Sequence, residues 1–436
     1  MRTARRADGL DLAPFRALRY VPERIHELAA VTSPPYDVVV RPEGWSHLHT
    51  SHPYNIVRLI LPENGNPSAA DRHRSAAAAL ARWTRDGVLA PDPEPALYLY
   101  EQRSGSVLQR GLIGALRLTP PEQRVVLPHE EVMPDVVEDR AGLMRETAAN
   151  LEPLLLSYRG EQDDGAGGGA AAVIDRTAAG PPLFRITTEN GFSHRMWAIT
   201  DPAGLRRIRT DLARYTALIA DGHHRWATCL RLAREHGGAP PWDRGLVLLV
   251  DTVRHPLRVG AIHRVLPRLA PQDALARLRG AFRVRPLDTH DLGTALRTLH
   301  TVRTAPGDNA FLLAGGGRFH LLDRPDPALL ARTVPAGRPE AWRRLDSTVL
   351  HSTLLGSLWQ VPDAPPHVEY LHEAEAAVSR AEARGGSAVL LRPVAEDTVR
   401  QLAEQGVPMP QKSTSFGPKP ATGLLLRSLT AERAQH

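Results

Sequence analysis

A single cysteine, Cys229, stands in the whole chain, so no internal disulfide can form. That usage fits a reducing compartment and predicts a cytoplasmic protein. Lysine is almost as scarce. Lys412 and Lys419 are the only two, and arginine supplies the rest of the 54 basic side chains. These charges are interspersed among 48 acidic ones without a basic block, so nucleic acid is not an expected partner despite the net charge of +6. Apolar runs are short. Leu246–Val250 falls far below the length needed to span a bilayer, and no membrane partner is expected. The opening Met1-Arg2-Thr3-Ala4-Arg5-Arg6 is basic but leads into no apolar stretch, so no secretory signal is predicted. What remains is 42% hydrophobic, enough for sizeable cores, in a length that suits two to three domains.

The densest chemistry lies at Asp221-Gly222-His223-His224-Arg225. An apolar run, Leu218-Ile219-Ala220, leads into it. Trp226, Leu230 and Ala233 follow at helical spacing, and Gly237-Gly238 stops them. The cluster therefore sits where a helix begins, with unpaired backbone N–H groups and the positive end of the helix dipole. Gly222 permits close backbone approach, and Arg225 has the fork geometry to grip two phosphate oxygens. The pattern also fits a capped helix start with solvated histidines. Five residues so rich in titratable groups favour an anion site, most simply for phosphate. Cys229, inside the same helix, reads as a small buried side chain rather than a reactive thiol.

Along the chain, Ser33-Pro34-Pro35-Tyr36-Asp37-Val38 predicts a rigid extended loop. Tyr54 to Leu61 predicts a strand interrupted by Asn55 and Arg58, and Ser68 opens a helix through Trp83 that ends at Gly87. Runs at 96–100 and 112–116 around Ser104-Gly105-Ser106 predict a hairpin. His129-Glu130-Glu131 follows a strand and precedes Asp139-Arg140 in a helix. The Gly160–Gly180 stretch reads as a flexible surface insertion; no Gly-Lys-Ser/Thr follows its glycines, so it is no phosphate loop. His263-Arg264 follows a buried strand, where His263 fits a structural hydrogen bond to Asp251 at least as well as catalysis. A helix is expected from Leu345 to about Trp359. Near the end, Met409 to Pro420 holds both lysines in a proline-punctuated loop with Ser413 and Thr414, either a second anion contact or a rigid surface loop.

These segments together resemble domain-of-unknown-function family 1015, over about Leu12 to Leu429. The matching pieces are Ser33 to Val38, Tyr54-Asn55 with Arg58, Pro128-His129-Glu130 with Asp139-Arg140, Ala220 to Arg225, His263-Arg264, Leu345-Asp346, and Met409 to Pro420. More narrowly, His129-Glu130-Glu131 followed by Asp221 to Arg225 resembles the active-site pair of the ParB/sulfiredoxin superfamily and its free-serine kinases. That resemblance implies an α+β fold of mixed sheets and helices. A ParB/sulfiredoxin-like nucleotide-binding core would occupy residues 1–265, and a second α/β region residues 266–436. The spacing between Glu130 and Asp221 is wider than in compact members, so Glu131 and Asp37 rival Glu130 as the early carboxylate.

The resemblance implies a kinase that phosphorylates the hydroxyl of a small metabolite, free serine or a relative, with ATP or ADP and Mg²⁺. Glu130, Glu131 or Asp37 would act as base. Asp221, Gly222, His223, His224, Arg225, Lys412, Ser413, Thr414 and Lys419 would hold nucleotide phosphates, with Asp221 as a metal ligand. His129, Asn55, Arg58, Arg140, His263 and Arg264 would support them. The competing expectation is a ParB-like nucleotide-binding or hydrolysing regulator without small-molecule kinase activity. A zinc hydrolase fits poorly, because the adjacent His223 and His224 do not share one helical face and His129-Glu130-Glu131 lacks the second histidine of a His-Glu-x-x-His helix.

Overall fold

The computed structural model describes residues 9–39, 42–62, 68–161, 169–302, 309–364 and 366–430. It is a mixed α+β chain in two compact units. The first comprises 1–127, 132–257 and 418–436; the second comprises 128–131 and 258–417. The C-terminal strand Leu426–Ser428 thus belongs to the first unit, and Pro128–Glu131 belongs to the second. No helix among the described residues is long and apolar enough to cross a membrane.

The first unit is built on a large mixed sheet. Its strand order is Val126–Leu127, Ala217–Asp221, Leu154–Tyr158, Arg244–Asp251, Val107–Arg117, Leu97–Ser104, Ser193–Ile199 and Phe184–Thr187, with Leu12–Ala13 pairing on Val107–Arg117. The expected hairpin forms, with Ser104 opposite Val107 and Gly105 at a φ of 55° in the two-residue turn. Glu101, 1% exposed in the middle of the sheet, is flanked by cross-strand Arg110 and Arg195. Burial works against its charge, but the two guanidiniums outweigh it and hold its carboxyl below the usual range. A second sheet joins Leu89–Pro91, Ala17–Tyr20, Leu426–Ser428 and Ala149–Asn150.

Helix Ala69–Arg85 begins as expected in a capping box between Ser68 and Asp71, and Gly87 follows it at a φ of 71°. Two other expectations are corrected. Tyr54–Leu61 is not a strand; Val57–Ile60 is a short helix. The Asn55 side chain, 1% exposed, donates to the carbonyls of Ala30 and Thr32 and accepts the Val57 N–H. These contacts turn the chain where β-propensity alone predicts extension. In the glycine-rich stretch, Gly169–Ala178 is a helix with Ala170, Val173 and Ile174 buried, so that part is core rather than surface decoration. The low-complexity run at 162–168 lies outside the described residues.

The second unit carries an antiparallel sheet in the order Arg283–Pro286, Arg318–Asp323, Phe311–Gly315, Ser387–Leu390, His263–Leu266 and Glu369–Leu371. Ala295 and Leu299 of helix Leu292–Thr301 and Ala377 and Ala381 of helix Ala374–Arg384 pack into its core. The helix expected from Leu345 to Trp359 forms in two pieces, an α-helical turn at Asp346–Val349 and a π-helical stretch at Leu350–Trp359. Arg258–Gly260 pairs with Ser415–Gly417, and Glu130 makes a parallel bridge with Met409.

Candidate functional site

Strand Ala217–Asp221 is fully buried and breaks register by a bulge between Ile219 and Asp221. Gly222 follows at a φ of 98°, and helix His223–Glu235 starts at once. That φ lies in the region open to glycine, so the sharp exit from strand to helix depends on it. Gly222 has no side chain to cap the helix, and Trp226 is the first amide bonded back to its carbonyl. The next groups in line are His223, buried, and His224, half-buried. His224 Nε2 accepts the Met133 N–H at 3.0 Å, which leaves the proton on Nδ1. Cys229, buried as expected, has its thiol pushed up to about 11 by burial, as suits an inert core side chain.

Beneath this turn lies a buried ionic cluster, all within the first unit. Arg225, 6% exposed, donates to Asp221 Oδ2 at 2.7 Å and to the Pro153 carbonyl at 3.0 Å. The guanidinium expected to grip two phosphate oxygens is therefore committed inside the protein, where it braces the turn. Lys419 is also committed, lying 2.6 Å from Asp221 Oδ1 and ion-paired with Asp37. Burial opposes the charge on Asp221, yet Lys419 and Arg225 hold its carboxyl below the usual range. Glu152 completes the set. It is 7% exposed, accepts the Tyr36 N–H at 3.0 Å, and has its carboxyl pushed up by burial against the pull of Arg225. The Tyr36 ring lies under the guanidiniums of Arg140 at 4.6 Å and Arg225 at 5.8 Å. Ser33 exchanges backbone hydrogen bonds with Thr422. The proline loop is thus stapled to the cluster by backbone at one end and by Tyr36 and Asp37 at the other. A cavity lined by Glu152, Arg225, Arg140 and Cys229 has a volume of about 40 Å³, room for a water and far too little for a nucleotide.

Glu152 escapes the sequence reading. A lone acid ahead of a strand carries no motif, and only its burial among opposite charges marks it. Asp37, a rival for the base, has one oxygen against Lys419 and the other, Oδ1, buried without a hydrogen-bond partner. Asn55 and Arg58 pin local backbone; Arg58 donates to the His49 carbonyl and ring, both at 2.6 Å. Arg140 pairs with Asp139 and donates to the Ile60 carbonyl.

In the second unit, Glu130 lies against the 409–417 segment. Its Oε1 accepts the Lys412 N–H at 2.9 Å, and the Met409 N–H donates to the His129 carbonyl. The His129 ring bonds Thr414 Oγ1 at 2.8 Å, and Ser413 bonds Ser347. Ser413 and Thr414, expected at phosphate, hold the loop in place instead. Glu131 is exposed. Arg264 is fully buried and donates to the carbonyls of Ile262 and Lys412 and to His351. His263 accepts the Leu391 N–H, while Asp251, its expected partner, accepts from Gly160 and Val253. His351 and its partner Asp363 carry no sequence signal.

A family model matches residues 12–348, most of the chain; its description is "Protein of unknown function (DUF1015)". The chain belongs to this family. The DUF1015 match stops short of Lys412, Thr414 and Lys419, so the residues that hold Glu130 and Asp221 include some beyond it. No curated protein matches the chain. Among solved structures, it is similar to free serine kinase in complex with AMP, with 16% identity and a TM-score of 0.35, covering 70% of this chain and 90% of that one. It is similar also to a conserved hypothetical protein from Pyrococcus furiosus, with 15% identity, a TM-score of 0.34, and 70% and 93% covered. A third is SbnI with C-terminal truncation from Staphylococcus aureus, with 10% identity, a TM-score of 0.35, and 74% and 90% covered.

Proposed function

We propose that this DUF1015 protein is a nucleotide-dependent phosphotransferase with a ParB/sulfiredoxin-like core, acting on the hydroxyl of a small metabolite such as free serine or a related amino acid. The observation that carries the reading is the strand–Gly222–helix turn. The helix opens there with His223 and His224, and buried Arg225 and Lys419 both engage Asp221 at the end of the strand. Such a turn binds phosphate through backbone N–H groups and the helix dipole. His223 and His224 add donors, and Arg225 acts by bracing rather than by touching the nucleotide.

In this reading Glu130 accepts the proton of the substrate hydroxyl. The hydroxyl oxygen forms a bond to the terminal phosphorus of ATP or ADP, and the bond from that phosphorus to its bridging oxygen breaks. The electron pair leaves with the nucleotide one phosphate shorter. Asp221 does not fit a Mg²⁺ ligand, because Lys419 and Arg225 engage its two oxygens. Mg²⁺ enters as part of the nucleotide substrate, on its phosphates.

The test is incubation of the purified chain with Mg²⁺, ATP or ADP and a panel of amino acids, followed by mass spectrometry. A product heavier by one phosphoryl group is expected with a hydroxyl amino acid. Glu130→Gln should abolish it while nucleotide still raises the melting temperature. Nucleotide hydrolysis without any acceptor product would favour the ParB-like regulator instead.

A further inference from the structure

Lys412 is one of five described non-glycine residues with a positive φ, at 56°. L side chains rarely adopt that conformation. Here it turns the two polar groups of one residue to two partners. The Lys412 N–H donates to Glu130 Oε1 at 2.9 Å, and the Lys412 carbonyl accepts from Arg264 at 2.9 Å. Arg264 is itself fixed from three sides. It is 0% exposed, donates to the Ile262 carbonyl at 2.6 Å, lies over the Tyr370 ring at 4.7 Å, and donates to His351 Nε2 at 2.9 Å. Accepting at Nε2 places the His351 proton on Nδ1, which lies 2.6 Å from Asp363 Oδ2. Tyr370 hydroxyl also bonds Asp363. All of these residues belong to the second unit.

We infer that Arg264, held by His351 and Asp363, is a positioning residue for Glu130 and acts through the left-handed backbone of Lys412. Lys412 contributes here through its peptide group rather than its ammonium. A carboxylate that must take a proton from a positioned hydroxyl needs a fixed direction, and one oxygen tied to a rigid amide leaves the other oriented. This rests on the phosphotransferase reading for what Glu130 does, but not for how it is held.

The experiment uses the full chain with ¹³C-carboxyl-labelled glutamate, and Glu130→Gln to assign the Glu130 resonance. An N–H donated to a carboxylate favours its charged form. Lys412→Pro removes that N–H and cannot adopt the positive φ. Arg264→Lys keeps the charge but loses the fork that reaches Ile262, His351 and Lys412 together. Both should move the Glu130 titration upward, whereas Lys412→Gly, which keeps the N–H and the positive φ, should titrate as the parent does. In turnover, Lys412→Pro and Arg264→Lys should lower kcat by up to about 100-fold with the nucleotide KM unchanged. If Lys412→Pro does not fold, Arg264→Lys and Lys412→Gly decide. The inference is overturned if Lys412→Gly shifts the titration upward, or if Arg264→Lys leaves it in place. A parent chain that forms no phosphorylated product sinks the phosphotransferase reading, and the titration still decides how Glu130 is held.

Discussion

The ammonium of Lys419 lies 2.6 Å from Asp221 Oδ1 and ion-pairs with Asp37 as well, so one of the chain's two lysines bridges two carboxylates beneath the Gly222 turn. Its side chain is 12% exposed and that of Asp221 is 10% exposed, so solvent screens the pair weakly.

Lys419→Met should therefore destabilise the first unit by roughly 3 kcal/mol, because it takes the cation from Asp37 and leaves the buried Asp221 with Arg225 alone. Urea unfolding measures it, and a change under about 0.5 kcal/mol would contradict the burial of the pair. The pH dependence has two limbs. Asp221 is held below its ordinary value of 3.8, so its contribution is present above that value and is lost as pH falls through the lower folded value. Despite burial, Asp221 and Asp37 hold Lys419 above its ordinary 10.5. Its contribution is complete below 10.5 and is lost as pH rises through the higher folded value. In Lys419→Met the high-pH limb should vanish.

Gly222→Ala should weaken both fold and ligand binding. The backbone is at a φ of 98°, and an added Cβ would lie 3.1 Å from the Arg225 guanidinium. The left-handed conformation alone costs about 1–2 kcal/mol with a side chain. The expected result is a lower melting temperature and a smaller nucleotide-induced rise in it. An undiminished rise would move the phosphate site away from this turn.

Asn55→Ala should cost roughly 2–3 kcal/mol. It leaves the buried Thr32 carbonyl, the half-buried Ala30 carbonyl and the Val57 N–H without the partners they have now. Asn55→Asp should cost at least as much, since a carboxylate places an acceptor against the Ala30 and Thr32 carbonyls. Chemical denaturation checks both. Unchanged stability with lost activity would instead give Asn55 a ligand-binding role.

His263 is pushed down by burial to about 4 from an ordinary 6.5. The unfolded chain takes up this proton first as pH falls. Stability from the neutral, buried ring is therefore whole above 6.5 and declines between 6.5 and about 4. His194, pushed down by burial to about 4, adds to the same limb from the first unit. His263→Asn, whose carbonyl oxygen can still accept the Leu391 N–H, should flatten the slope in that window. A slope unchanged from the parent would mean that His263 takes up its proton equally in the folded and the unfolded chain.

Much of this protein was settled by local sequence. The helix after Gly222 is in the spacing of Trp226, Leu230 and Ala233, the capping box is in Ser68 and Asp71, and the hairpin is in Ser104-Gly105-Ser106. Each rests on contacts within a few residues, where periodicity and turn chemistry decide. Tertiary structure decided the rest. Asn55 turned an expected strand into a helix through carbonyls some twenty residues back in the chain. Arg225 and Lys419 read as phosphate ligands because charge at a helix start is visible in sequence and its counter-charges are not. Only folding brings Asp37 and Asp221 to Lys419, and Glu152 close to Arg225. Once buried, those cations are spent on partners in the same unit, because an unpaired charge in an apolar interior costs far more than a pairing that gives up a ligand.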